Sequence, residues 1–146
     1  MNNGDNKMNK ISELSDEDVK LVKMAKDAMK YSYSPYSGFK VGAALVADNG
    51  QIYTGCNIEN ASYGATNCAE RTAVFKAVSE GVLKISKIAI ASSSGKETPP
   101  CGICRQVISE FMNGDGEVLL SNNDDVISYR LSELFPDCFE SDNIGR

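Results

Sequence analysis

Cys101 and Cys104 stand three residues apart in Pro100-Cys101-Gly102-Ile103-Cys104, where a helix is predicted to begin. That spacing puts both thiols on one face of the first turn, from which they can grip one metal ion. A lone Cys-x-x-Cys is also the mark of a redox dithiol, whose first Cys likewise sits at a helix start with a lowered pKa. Cys68 separates the two readings, because it opens another predicted helix and is followed two positions on by Glu70. Three thiols at two helix starts make an open zinc site, since zinc takes four ligands and a catalytic site keeps one of them for water. A structural site would use a fourth protein ligand. Cys56 ends a predicted strand and Cys138 lies in the tail, so neither shares the helix-start placement, and both read as small packing residues.

Glu70 is the candidate acid and base. On an ideal helix it stands about 200° from Cys68, so the helix start must orient it; its bland reading is an acid favoured near a positive helix end. Zinc on three thiolates is net negative, which keeps a bound water's pKa high unless positive groups compensate. Arg71 and two helix N-termini can do so. Without those neighbours Arg71 would read as a solvated surface charge.

The 146 residues contain no His, which excludes Ser/His/Asp and Cys/His nucleophile pairs and every His-ligated metal site. Any general base is then Asp, Glu, Lys or Tyr. With 15 Lys and Arg against 20 Asp and Glu, net charge −5, the chain has little basic surface for a nucleic-acid partner. No apolar run approaches the roughly 20 residues of a membrane span, the longest being Val41 to Ala47, and the opening MNNGDNKMNK lacks a secretory core. These features predict a cytoplasmic protein with neither membrane nor nucleic acid as partner. Five cysteines, an odd number in a reducing compartment, argue for metal or thiol chemistry over disulfides.

The elements that must position these residues follow from pattern. Residues 1–13 are polar and unpatterned, a disordered or loosely ordered extension, and residues 14–146 form a single domain. Ser15 with Asp18 is a variant capping box opening a helix to about Lys30. Phe39 to Ala47 and Gln51 to Cys56 flank Asp48-Asn49-Gly50, a strong hairpin signal. A helix from Cys68 to Glu80 leads to a buried strand, Ile85 to Ala91. Pro99-Pro100 precedes the helix that starts near Cys101, after which come strands Glu117 to Ser121 and Val126 to Arg130 and a short helix, Leu131 to Phe135. Five strands interleaved with helices predict an α/β fold of three layers, with a five-stranded mixed sheet.

Cys68-Ala69-Glu70 followed by Pro100-Cys101-Gly102-Ile103-Cys104 resembles the zinc nucleoside and nucleobase deaminase pattern in its three-cysteine form. Tyr33-Ser34-Pro35-Tyr36-Ser37, Phe39 to Ala44, Asn57-Ile58-Glu59-Asn60 and Cys101 to Glu110 extend the likeness to the small homotetrameric cytidine deaminases, over roughly residues 15–139. The resemblance implies that fold, one zinc per chain held by Cys68, Cys101 and Cys104, and a water nucleophile whose proton Glu70 takes before delivering protons, one to the pyrimidine N3 and one to the departing ammonia, while the water oxygen attacks C4. Cytidine and deoxycytidine would become the uridines, as in pyrimidine salvage. It implies a nucleoside substrate contacted by Phe39, Asn57, Glu59, Tyr63 and Ala69, with Asn57 and Glu59 on the ribose hydroxyls and Arg71 behind the cysteines. Phe139 would reach a neighbouring subunit's site in a homotetramer. Ile103 stands where the pattern more often has Ala, and Asp137-Cys138 replaces small or apolar residues before Phe139.

Three alternatives stay open on the residues. A deaminase of a nucleoside antibiotic of the blasticidin type shares the cysteines, although Asn57-Ile58-Glu59-Asn60 favours an ordinary ribose. A structural zinc module would not need Glu70. A dithiol redox protein would hold no zinc.

Overall fold

A computed structural model describes residues 7–145 of the chain. Its elements in order are β1 (Lys7–Lys10), α1 (Asp16–Ala28), β2 (Val41–Ala47), β3 (Ile52–Cys56), α2 (Ala69–Ser79), β4 (Ile85–Ser92), α3 (Gly102–Phe111), β5 (Glu117–Ser121), β6 (Asp125–Arg130) and α4 (Leu131–Leu134). Short 3-10 turns lie between some of them. The strands form one mixed sheet in the order β1-β6-β5-β4-β2-β3.

The sheet has six strands rather than the expected five. The additional member is β1, which pairs antiparallel with β6 and comes from the segment expected to be loosely ordered. Lys7-Met8-Asn9-Lys10 has no apolar alternation, and Met8 is 56% exposed. Backbone pairing to the open edge of β6, rather than side-chain burial, makes this strand, and such pairing leaves no hydropathy pattern. Residues 1–6 of that extension lie outside the described residues.

Local signals explain the rest. The Asp18 N–H donates to Ser15 Oγ at 3.2 Å, so Ser15 caps α1. The β2–β3 hairpin turns at Asp48-Asn49-Gly50, where Gly50 takes a φ of +84° that glycine adopts without penalty. β4 pairs antiparallel with β2, and α3 crosses over to β5, which runs parallel to β4.

Alternation along the strands divides the core into two clusters. Val41, Ala43, Leu45, Ile88, Ile90, Val118 and Leu120 face α2 and α3, meeting Ala69, Ala73, Val74, Ala77 and Ile108. Ala44, Val46, Ala89, Ala91, Leu119 and Val126 face α1, meeting Leu21, Val22 and Ala25. The layers are therefore helix, sheet, helix. A partly buried ion pair adds to the α1 face, with Lys87 Nζ on β4 2.6 Å from Asp18 Oδ1 in the first turn of α1.

Two glycines bring the helices close. A Cβ on Gly42 would stand 1.9 Å from the Ala25 carbonyl oxygen of α1, and one on Gly55 would stand 2.5 Å from the Ala69 oxygen and 2.4 Å from the Ala73 nitrogen of α2. The helix backbones thus rest directly on the hairpin. The register that pairs Gly42 with Cys56 and Val41 with Ser92 brings the start of β2 and the ends of β3 and β4 to one end of the sheet.

Candidate metal centre and active site

Cys68 is the N-cap of α2 and Cys101 the N-cap of α3, both in extended backbone conformation. Cys104 lies one turn into α3 and is fully buried. The three Sγ atoms all lie within 4.8 Å of one another, and Cys68 Sγ is 3.8 Å from Cys101 Sγ. A tetrahedron with zinc–sulfur arms of about 2.3 Å has edges of roughly 3.8 Å, so the donor set fits one zinc ion. Neither Cys56 nor Cys138 belongs to this group.

Electrostatics make the same point. As free thiols, Cys68 is held down at about 5, first by the Cys104 hydrogen bond and then, against burial, by Arg71 and Cys101. Cys104 is pushed up by that same hydrogen bond and by burial, with the charges of Glu70 and Cys68 adding to it. Adjacent sulfurs cannot all ionise beside one another without a cation, and a dication answers that repulsion. Arg71 Nη2 donates to Cys68 Sγ at 3.2 Å and to the Thr66 carbonyl at 3.5 Å. Its Nε is buried and without a hydrogen-bond partner among the described residues.

Glu70 is 4% exposed, and burial raises its carboxyl to about 6, helped by the Cys68 charge and opposed by a backbone hydrogen bond, Cys104 and Arg71. The ideal-helix offset from Cys68 does not apply, because Cys68 is a cap in extended conformation rather than a helical residue. Cys68 accordingly stands with Cys104 in the sulfur trio, and Glu70 lines one cleft with Cys68 and Cys101.

These groups open into a cleft of about 200 Å³ lined by Phe39, Val41, Asn57, Thr66, Cys68, Ala69, Glu70, Thr98, Pro99 and Cys101. A second cleft of about 280 Å³, lined by Tyr36, Ser37, Glu59, Tyr63 and Thr66, shares Thr66 with the first. Phe39, Asn57 and Ala69 are thereby brought to the cysteines, and Glu59 and Tyr63 to the adjoining cleft. Phe139 lines neither; its side chain is exposed and its carbonyl accepts from Gln106 Nε2.

Asn57 and Glu59 also hold the walls. Asn57 Nδ2 donates to the Phe39 carbonyl at 2.7 Å, while its Oδ1 accepts from the Val41 N–H at 2.9 Å and from the Ser32 hydroxyl. Glu59 accepts the N–H groups of Tyr36 and Ser37 and the Ser37 hydroxyl, and the Ser37 bond above all keeps its carboxyl below the usual range. Sequence reasoning missed Val41, Thr66, Thr98 and Pro99 as wall residues. The Pro99-Pro100 pair is the available signal, since a rigid extended approach to α3 also makes a fixed wall.

Residues 15–120 match the family described as the cytidine and deoxycytidylate deaminase zinc-binding region. A cytidine deaminase of Sporosarcina psychrophila is 48% identical over 127 residues, 86% of this chain and 93% of that protein. One from Halalkalibacterium halodurans is 47% identical over 126 residues, 86% and 96% of the two chains. The crystal structure of cytidine deaminase from Burkholderia pseudomallei is similar with a TM-score of 0.80 at 43% identity, covering 86% of this chain and 100% of that one. A thiol trio sized for zinc, a buried carboxyl beside it and these likenesses agree: the chain belongs to the zinc-binding cytidine and deoxycytidylate deaminase family.

Proposed function

We propose that this protein hydrolyses cytidine and deoxycytidine to uridine and deoxyuridine with release of ammonia, as in pyrimidine salvage, using one zinc ion held by Cys68, Cys101 and Cys104. When bound, zinc supplies a Lewis acid with a fourth position that lowers the pKa of water. Glu70 accepts the proton of that water. It passes that proton to ring N3 as the water oxygen bonds to C4, then takes the remaining proton from that oxygen and gives it to the amine nitrogen, so that the C4–N bond breaks, ammonia leaves and C4 keeps a carbonyl oxygen; one carboxyl thus serves twice as base and twice as acid. A carboxyl raised to about 6 exchanges protons in both directions near neutral pH. The observation that carries this reading is the sharing of one cleft by Glu70, Cys68, Cys101, Phe39 and Asn57.

Phe39 packs against the base, Ala69 borders it, and Asn57 and Glu59 meet the ribose hydroxyls, with Tyr63 closing the sugar side. Glu59, pinned as a carboxylate, accepts hydrogen bonds from a hydroxyl. Arg71 offsets the negative charge of the thiolates through its bond to Cys68.

The working form is a homotetramer in which Phe139 enters a neighbour's site. Its exposure of 56% and the 75% exposure of Tyr63 at the mouth of the sugar cleft support an interface here. The protein acts in the cytoplasm, without a membrane or nucleic acid as partner; no helix among the described residues is long and apolar enough to cross a membrane, and the net charge is −5. Incubation of the zinc-loaded protein with cytidine tests the reading: one ammonia per uridine is expected, and an unchanged substrate would overturn it.

A further inference from the structure

Thr98 and Pro99 form a wall of the cleft that holds Glu70, and the connector that carries them, residues 93–100, has no regular secondary structure. Three anchors nevertheless hold it. At its start, the Ser93 N–H donates to the Lys40 carbonyl at 2.8 Å and the Lys40 N–H to Ser93 Oγ at 3.0 Å, next to Phe39. Inside it, buried Ser92 shares hydrogen bonds with Ser94 and with Thr98 Oγ1, the latter at 2.6 Å. On its far side stands the β5–β6 turn. There Asn122 Nδ2 donates to Glu97 Oε1 at 2.8 Å, one residue before Thr98.

The turn is itself fixed. Asn122 Oδ1 accepts the N–H groups of Asp124 at 2.9 Å and Asp125 at 2.7 Å, so one amide organises the turn with its oxygen and grips the connector with its nitrogen. Gly95, at φ +68°, lets the two loops touch: a Cβ there would stand 2.8 Å from Asn123 Nδ2. Asn122 lines neither cleft, yet it is bonded to the connector immediately before the wall residues.

The geometry points to Asn122 as a positioning residue for the base-binding cleft, acting through Glu97 to fix the Thr98–Pro99 wall, an inference that rests on the deaminase reading of that cleft. Its loss acts on substrate seating rather than on proton transfer, because neither partner touches the cysteines or Glu70. Binding then weakens while the chemical step is kept.

The test exchanges donor and acceptor on zinc-loaded protein. Asn122→Asp keeps the oxygen that accepts from the turn but sets an acceptor against the Glu97 carboxylate. It is expected to raise the KM for cytidine about 3- to 10-fold, the range for losing one hydrogen bond, with kcat within about twofold and zinc content unchanged. Glu97→Gln alone still accepts from Asn122 and should leave KM near wild type. The double variant Asn122→Asp with Glu97→Gln restores a donor facing an acceptor and should bring KM back. Glu97→Ala, which leaves the turn untouched, gives the same KM rise should Asn122→Asp fold poorly. A normal KM in Asn122→Asp or Glu97→Ala overturns the proposal, as does a KM rise in Asn122→Asp that the double variant does not reverse. A wild-type protein that does not deaminate cytidine overturns the deaminase reading itself, and the wild-type measurement distinguishes that outcome from the others.

Discussion

At the scale of single residues, the chemistry turns on a carboxyl taken out of water beside sulfur. Burial is the leading cause of the Glu70 shift to about 6, and it persists when metal binds. A dication on three thiolates leaves one net negative charge, as does one ionised thiol among three, so the neighbouring charge is also similar. The base must be ionised to accept a proton. kcat/KM is therefore expected to be level above about pH 6 and to fall about tenfold per unit below it, measured as a pH–rate profile on cytidine; a level profile down to pH 4.5 would contradict the assignment of Glu70 as the base. Much at this scale could be read from residue types alone, since three cysteines with no His present leave few chemistries. The structural work of Asn57 could not, because its partners, the backbone of Phe39 and Val41 and the Ser32 hydroxyl, are distant in sequence and meet it only once the chain is folded.

At the scale of elements, the site depends on where two helices begin. The starts of α2 and α3 were readable because an apolar period marks the first and a proline pair the second. The depth at which α2 seats was not, since it is set across the sheet by Gly55. Gly55→Ala would drive a Cβ into the α2 backbone, and it is expected to cost about 1–3 kcal/mol while displacing the turn that carries Cys68 and Glu70. Gly42→Ala makes a clash of the same kind with α1 on the opposite face. Both variants should unfold at lower temperature, but only Gly55→Ala should lose zinc faster to a chelator. Equal zinc retention in the two would show that the α2 seating does not control the site. The β1 strand marks the other limit of sequence reading, because an edge strand with no buried face leaves nothing periodic to find.

At the scale of the whole molecule, the chain offers clefts that join at Thr66 and an exposed Phe139 that lines neither. If Phe139 serves a neighbouring site, Phe139→Ala and Glu70→Gln impair different halves of a shared centre. Chains of the two variants co-assembled by denaturation and refolding should regain activity above the sum of the separate preparations; activity equal to that sum would contradict site sharing. No local pattern could reveal such an arrangement, since it concerns surfaces on different copies. The most direct measurement, however, concerns a single centre: zinc content and cytidine turnover determined side by side for wild type and Glu70→Gln. About one zinc per chain is expected in both, with turnover falling at least 10²- to 10⁴-fold in the variant. A Glu70→Gln protein that still turns over cytidine within tenfold of wild type, or that loses its zinc along with its activity, would contradict the account.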